Sequence, residues 1–132
     1  MVTAREDERH MRAALAEAAK GAGKTSPNPA VGAVLVIGGR IVARGHHRGA
    51  GEPHAEVECL RTFGGAVPPE ATLYVTLEPC STSGRTGPCT DAVVEAGMKR
   101  VVVGAIDPNP KHGGRGLKLL QRAGIAVEAG VL

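Results

Sequence analysis

Apolar positions change their period several times along the chain, and each change marks an element. Met11, Ala14, Leu15, Ala18 and Ala19 recur at intervals that place side chains on one face of an α-helix. Thr3-Ala4-Arg5-Glu6 ahead of them fits a capping box, with Glu6 placed to reach back to the cap. Gly21 and Gly23 end this helix. The chain then reads Ala33-Val34-Leu35-Val36-Ile37, Gly38-Gly39, Arg40-Ile41-Val42-Ala43, a β-hairpin whose two glycines supply the positive φ angles of a tight turn. Pro53 suits the first turn of a helix, where its missing N–H is not needed. That helix is expected over residues 54–63, burying Val57 and Leu60. Residues 72–77 form a short apolar run, a buried strand, and residues 79–88 a loop rich in Ser, Gly, Thr and Pro. Residues 91–96 read as a helix stopped by Gly97. Residues 100–105 read as another strand, 107–110 as a loop, 117–123 as a last helix and 125–127 as a last strand.

Helices alternating with short strands predict an α/β sandwich around one central sheet. The opening hairpin makes that sheet mixed. A chain of 132 residues suits one domain spanning residues 1–132. At this size about two-thirds of the unfolded surface is buried, enough for an ordinary core. That core must be aliphatic, because Phe63 and Tyr74 are the sole aromatic residues. No apolar run approaches the roughly 20 residues that span a bilayer, so no membrane partner is expected. The opening Met-Val-Thr-Ala-Arg-Glu-Asp-Glu-Arg-His is charged and lacks the apolar stretch of a signal peptide, which implies a cytoplasmic location. The net charge of +3 reads as a solvated surface rather than an anionic partner. Two aromatics are too few for the stacking platforms that bind single-stranded nucleic acid, so no nucleic-acid partner is expected either.

Three cysteines make an odd number, and a reducing compartment argues against a disulfide framework, which leaves metal ligation. Two segments carry that reading: His54-Ala55-Glu56, and Pro79-Cys80 with Cys89 further on. One imidazole and two thiolates from His54, Cys80 and Cys89 are good zinc ligands, and three protein ligands leave a fourth position open for water. Zinc lowers the pKa of bound water from 15.7 to about 7. The expected helix starts near His54 and Cys89 favour thiolate over thiol through their partial positive charge. Inside a helix, residues two apart face different directions, so His54 and Glu56 can meet only at a helix end. There Glu56 can carry the proton from water to a departing amine. His-x-Glu together with Pro-Cys-x-x-Cys is a signature of zinc deaminases in which Glu is acid and base but not ligand. Here the cysteines are separated by eight residues instead of two. Cys59 lies on the same predicted helix and reads as a buried, inert thiol. His10, His46 and His112 read as surface or loop residues.

Along nearly its whole length the sequence resembles the riboflavin-biosynthesis pyrimidine deaminases, the deaminase domain of the bifunctional RibD/RibG type. Thr25-Ser26-Pro27-Asn28-Pro29 with Val31-Gly32-Ala33-Val34 carries the likeness. So do Gly51-Glu52-Pro53-His54-Ala55-Glu56, Leu77-Glu78-Pro79-Cys80-Ser81, Gly84-Arg85-Thr86, Pro88-Cys89 and Asp107-Pro108-Asn109-Pro110. The eight-residue gap is also that family's spacing, unlike that of cytidine and transfer-RNA deaminases. The resemblance implies a cytidine deaminase-like fold, a three-layer αβα sandwich with a mixed central sheet, and one zinc ion per chain. It implies hydrolysis of the ring amine of a diamino-ribosylamino-pyrimidinone 5′-phosphate, with loss of ammonia. By the same resemblance Asn28, His47, Ala55, Arg85, Thr86, Asp107 and Asn109 line the substrate pocket. Arg85 is the natural phosphate contact, since guanidinium grips phosphate oxygens in a two-pronged way. Taken without the resemblance, Arg85 reads equally as an exposed loop charge, and Asn28 and Asp107 as turn residues beside prolines. Homologous deaminases assemble as dimers or tetramers, which implies a homo-oligomer.

The sequence departs from the family in three ways. Thr82 stands where a His usually follows Pro-Cys-Ser, and Gly87 stands where a Pro usually precedes Pro-Cys. The chain also stops at Leu132, so no reductase domain is expected within residues 1–132; either a separate protein carries out the reduction or the chain is an excised domain. Thr82 keeps open deamination of another small aminopyrimidine or a purine. A zinc-stabilised binding module is the non-enzymatic alternative; it requires a fourth protein ligand and leaves Glu56 without a task.

Overall fold

The computed structural model describes residues 4–21, 30–47, 54–79, 89–106 and 113–132. Five strands form one mixed sheet: β1 (Gly32–Ile37), β2 (Arg40–His46), β3 (Thr72–Leu77), β4 (Arg100–Ala105) and β5 (Ala126–Ala129), in the order β2-β1-β3-β4-β5. β1 runs antiparallel to both β2 and β3, whereas β3, β4 and β5 are parallel. The predicted hairpin turns at Gly38 and Gly39, both at positive φ, and its second strand runs three residues further than expected. Four helices complete the fold: α1 (Ala4–Ala19), α2 (Ala55–Phe63), α3 (Cys89–Glu95) and α4 (Arg115–Arg122). The expected elements are all present; β3 and β4 have the expected bounds, and the ends of the others differ by at most three residues. Thr3 and Gly23, read as the cap and terminator of the first helix, lie outside the described residues.

Successive side chains of a strand point to opposite faces, so the three central strands divide the core in two. Ala33, Leu35, Leu73, Val75, Val101 and Val103 join Ala55 and Cys59 of α2, Val93 of α3 and Leu120 of α4. Val34, Val36, Tyr74 and Val102 pack instead on Met11 and Ala14 of α1. Three helices therefore cover one face and a single helix the other, as the predicted αβα sandwich requires. Covering both faces explains why β1 and β3 read as continuous apolar runs without alternation.

Three expectations about burial need correction. Leu15 is 45% exposed, and the inward face of α1 is completed by the polar Asp7, His10 and Glu17. His10 is not a surface residue: it is buried against Tyr74, with ring centroids 5.1 Å apart. In α2, Val57 and Leu60 are half-buried, and the buried positions are Ala55, Glu56 and Cys59. Helical spacing gives the face but not its centre, and one residue of rotation turns about 100°. The docking of α2 on β2 sets that rotation. A Cβ at Gly45 would run into the backbone of Ala55 and Cys59, so glycine there lets the helix lie directly on the strand.

Candidate metal centre and active site

His54 is the N-cap of α2, not its first residue. Its backbone is extended, with φ −70° and ψ 165°, while its carbonyl already accepts from Glu58 N–H at 2.9 Å. A capping side chain would normally fold over the first turn, but the His54 ring makes no such bond. Nδ1 lies instead 2.8 Å from Sγ of Cys89, the first residue of α3. The extended cap removes the objection that residues two apart face different ways. The His54 side chain projects past the helix end, and Glu56, in the first turn, projects to the same point. Ligand atoms of His54, Glu56 and Cys89 all lie within 4.8 Å of one another. Two helix N-termini thus converge there, each carrying partial positive charge toward thiolate and carboxylate.

The electrostatics suit a cation. Burial, and then the neighbouring His47, lower the pKa of His54, which keeps its imidazole neutral with a lone pair to give. Glu56 is 3% exposed, and burial pushes its carboxyl up to about 7; its own backbone and the Cys89 thiol pull the other way with less effect. A neutral imidazole and a thiol sulfur, brought together in a buried corner, form a donor pair characteristic of zinc. The residues present therefore fit the metal that the sequence predicts. His47 stands beside them, 3% exposed, its ring edge-on to His54 at 4.9 Å between centroids. Nε2 of His47 is buried with no hydrogen-bond partner among the described residues, a polar atom left for something to satisfy. Ala55, fully buried, packs below as the first residue of α2.

The structure thus brings together His47, His54, Ala55, Glu56 and Cys89 from the predicted site. Cys80, Asn28, Arg85, Thr86, Asp107 and Asn109 lie outside the described residues, as do Thr82 and Gly87. Cys59 is fully buried, and burial followed by the charge of Glu56 pushes its thiol up to about 12, so it stays protonated and inert as expected. Sequence reasoning assigned no task to Glu78, whose carboxylate accepts from the start of α4. The signal available was its place, an acidic residue between a buried strand and Pro79-Cys80.

Residues 4–105 match the family model described as the cytidine and deoxycytidylate deaminase zinc-binding region. The riboflavin biosynthesis protein RibD of Aquifex aeolicus is 54% identical over 125 residues, covering 95% of this chain and 35% of the relative. The chain thus spans about a third of the length of the first curated relatives it matches. The diaminohydroxyphosphoribosylamino-pyrimidine deaminase of Buchnera aphidicola is 44% identical over 108 residues, covering 82% of this chain and 73% of the relative. Among solved structures, Acinetobacter baumannii RibD superposes with a TM-score of 0.93 at 46% identity, covering 98% of this chain and 36% of that one. Aspergillus oryzae Rib2 deaminase in complex with DARIPP superposes at 0.76 with 26% identity, covering 94% of this chain and 83% of that one.

Proposed function

Because the chain belongs to the zinc-binding cytidine and deoxycytidylate deaminase family, and shares its sequence with the riboflavin-biosynthesis deaminases within it, we propose that it hydrolyses the ring amine of a diaminohydroxy-phosphoribosylamino-pyrimidine. The products are the ring carbonyl and ammonia. The observation that carries this reading is the convergence of His54 Nδ1, Cys89 Sγ and the buried Glu56 carboxylate within 4.8 Å at two helix starts. His54 and Cys89, with Cys80 as the third ligand, would hold one zinc ion. Zinc supplies Lewis acidity that makes water nucleophilic at neutral pH.

The remaining chemistry belongs to the side chains. Glu56 takes one proton from the attacking water and passes it to the ring nitrogen, then takes the second from the new hydroxyl on the ring carbon and passes it to the departing amine, so one carboxylate serves as base and then as acid in each transfer. Its place in the first turn of α2 puts its carboxylate within 4.8 Å of the His54 and Cys89 ligand atoms. His47, whose Nε2 has no partner among the described residues, offers a hydrogen bond to the substrate. Asn28, Arg85, Thr86, Asp107 and Asn109 complete the pocket in this reading, with Arg85 on the phosphate. Residues 1–132 act as a deaminase unit, a homo-oligomer in the cytoplasm, where a reducing milieu keeps the cysteines available as ligands.

Thr82, in place of the usual His, favours a second reading in which the ring chemistry is the same but the substrate is another aminopyrimidine or a purine. Ammonia release from the pyrimidine phosphate, its dephosphorylated form, cytidine and guanine, for wild type and Glu56→Gln, tests both readings. Release from the phosphate alone, abolished in the variant, is the expected result. Release only from another member would reassign the substrate, and silence from zinc-loaded protein across the panel would sink the proposal.

A further inference from the structure

We infer that Glu78 is a positioning residue that sets the Cys80-bearing chain against the start of α4, and through it sets metal affinity and substrate fit. The inference rests on the proposed site, but the residues that carry it lie outside it. Glu78 follows β3 directly and is 7% exposed. Its N–H donates to the Ala105 carbonyl at 2.8 Å, which extends the β3–β4 ladder one residue past the strand. Oε1 accepts from Gly114 N–H at 2.8 Å; Oε2 accepts from Gly116 N–H at 2.8 Å and from Leu117 N–H at 3.4 Å.

The first N–H groups of a helix have no partner within it, and a carboxylate beside them is favoured by both hydrogen bonding and the helix dipole. α4 begins with Gly114 as N-cap, which has no side chain to cap it. A residue 36 positions earlier performs that task. The approach is close as well: a Cβ on Gly116 would collide with the Pro79 carbonyl and press on the Glu78 carboxylate. Local chain geometry does not demand a glycine there, since Gly116 is not among the positive-φ residues. The space for Pro79 does.

The consequence follows from where the chain goes on each side. Residue 79 leads directly into Cys80, and Gly114 follows residues 107–112, which contain Asp107 and Asn109. One carboxylate therefore fastens the point where the metal-ligand segment departs to the point where the second proposed substrate segment returns. A Gln at position 78 keeps one acceptor oxygen but turns an amide donor toward backbone donors, so part of the clasp becomes repulsive. Groups that orient metal ligands typically change metal affinity when altered.

Zinc affinity of the 132-residue chain, read by competition with a chromophoric chelator, tests this without any substrate. Glu78→Gln is expected to bind zinc about tenfold more weakly, and at saturating zinc to raise KM for the pyrimidine phosphate by about the same factor, with kcat changing about threefold or less. Amide exchange at Gly114, Gly116 and Leu117 should quicken in the same variant. Gly116→Ala, which keeps the carboxylate but displaces Pro79, should weaken zinc in the same direction. A Glu78→Gln protein with lowered Tm but wild-type zinc affinity and KM, measured well below that Tm, overturns the inference and leaves only a structural cap. If Glu78→Gln does not fold, wild-type zinc affinity in Gly116→Ala overturns it. Weakened zinc binding in a chain whose wild type releases no ammonia would leave this inference standing and remove the substrate reading instead.

Discussion

Asp7 and Glu56 are each 3% exposed, lie on opposite faces of one sheet, and are held in opposite charge environments. On the α1 face, Asp7 accepts from Tyr74 Oη at 2.5 Å and from both terminal nitrogens of Arg100, at 3.1 and 2.7 Å. Burial alone would raise its pKa, but the Arg100 and Tyr74 hydrogen bonds and the Arg100 charge outweigh it and hold the carboxyl below its ordinary value. On the other face burial wins, because no cation pairs with Glu56 among the described residues. The difference separates two uses of a buried carboxylate. Held by three donors, two of them from a guanidinium, it ties α1 to β3 and β4; left without a cation at a helix start, it is available to exchange a proton.

The contrast is sharpened most by removing each carboxylate in turn. Glu56→Gln should lower turnover by a factor of about 10² to 10⁴ while zinc content and thermal unfolding stay near wild type. Steady-state rates and metal analysis check this, and substantial residual turnover would remove the proton-carrying role. Cys89→Ser should lose the zinc, seen as metal content after gel filtration, because the hydroxyl is a far poorer ligand than thiolate. A fully loaded Cys89→Ser protein would contradict the assignment.

Asp7→Asn should do the reverse, costing about 2–3 kcal/mol of stability, since it leaves a partly exposed Arg100 without its main partner, while KM stays unchanged. Denaturant titration reads the loss. Its pH dependence has a defined sign. The folded pKa of Asp7 lies below the unfolded value of 3.8, so its stabilisation is complete above 3.8 and is lost as pH falls through the lower, folded value. The variant should therefore lose less stability than wild type below about pH 4. An unchanged acid profile would show that the network does not act through ionised Asp7. The smallest effect belongs to Cys59→Ala, about 1 kcal/mol from a small cavity, with activity intact. Inactivation by that change would mean Cys59 is more than core.

Much of this organisation was legible in the chain. Continuous apolar runs at residues 72–77 and 100–105 predict strands covered on both faces, and two adjacent glycines at 38 and 39 predict the hairpin. His54, Glu56 and Cys89 stand out because only a few residue types bind zinc or move protons, and they fall near expected helix starts, the first of which Pro53 announces. Less legible were burials that depend on a partner far along the chain. His10 looks like a surface residue until Tyr74 packs on it, and Asp7 looks like first-turn acid until Arg100 arrives from β4. Glu78 sits inside a recognised motif, yet its partners at residues 114–117 are not marked by any local pattern.

By itself, the sequence determined the α/β class, the mixed sheet and the chemistry that the site can perform, because periodicity, turn residues and ligand types are local properties of the chain. Tertiary structure alone decided that His54 caps α2 instead of beginning it, that Asp7 is driven down while Glu56 is driven up, and that Glu78 closes the start of α4. Each of these depends on which groups meet after the chain has folded, and the energy of a buried charge is set by its neighbours in space.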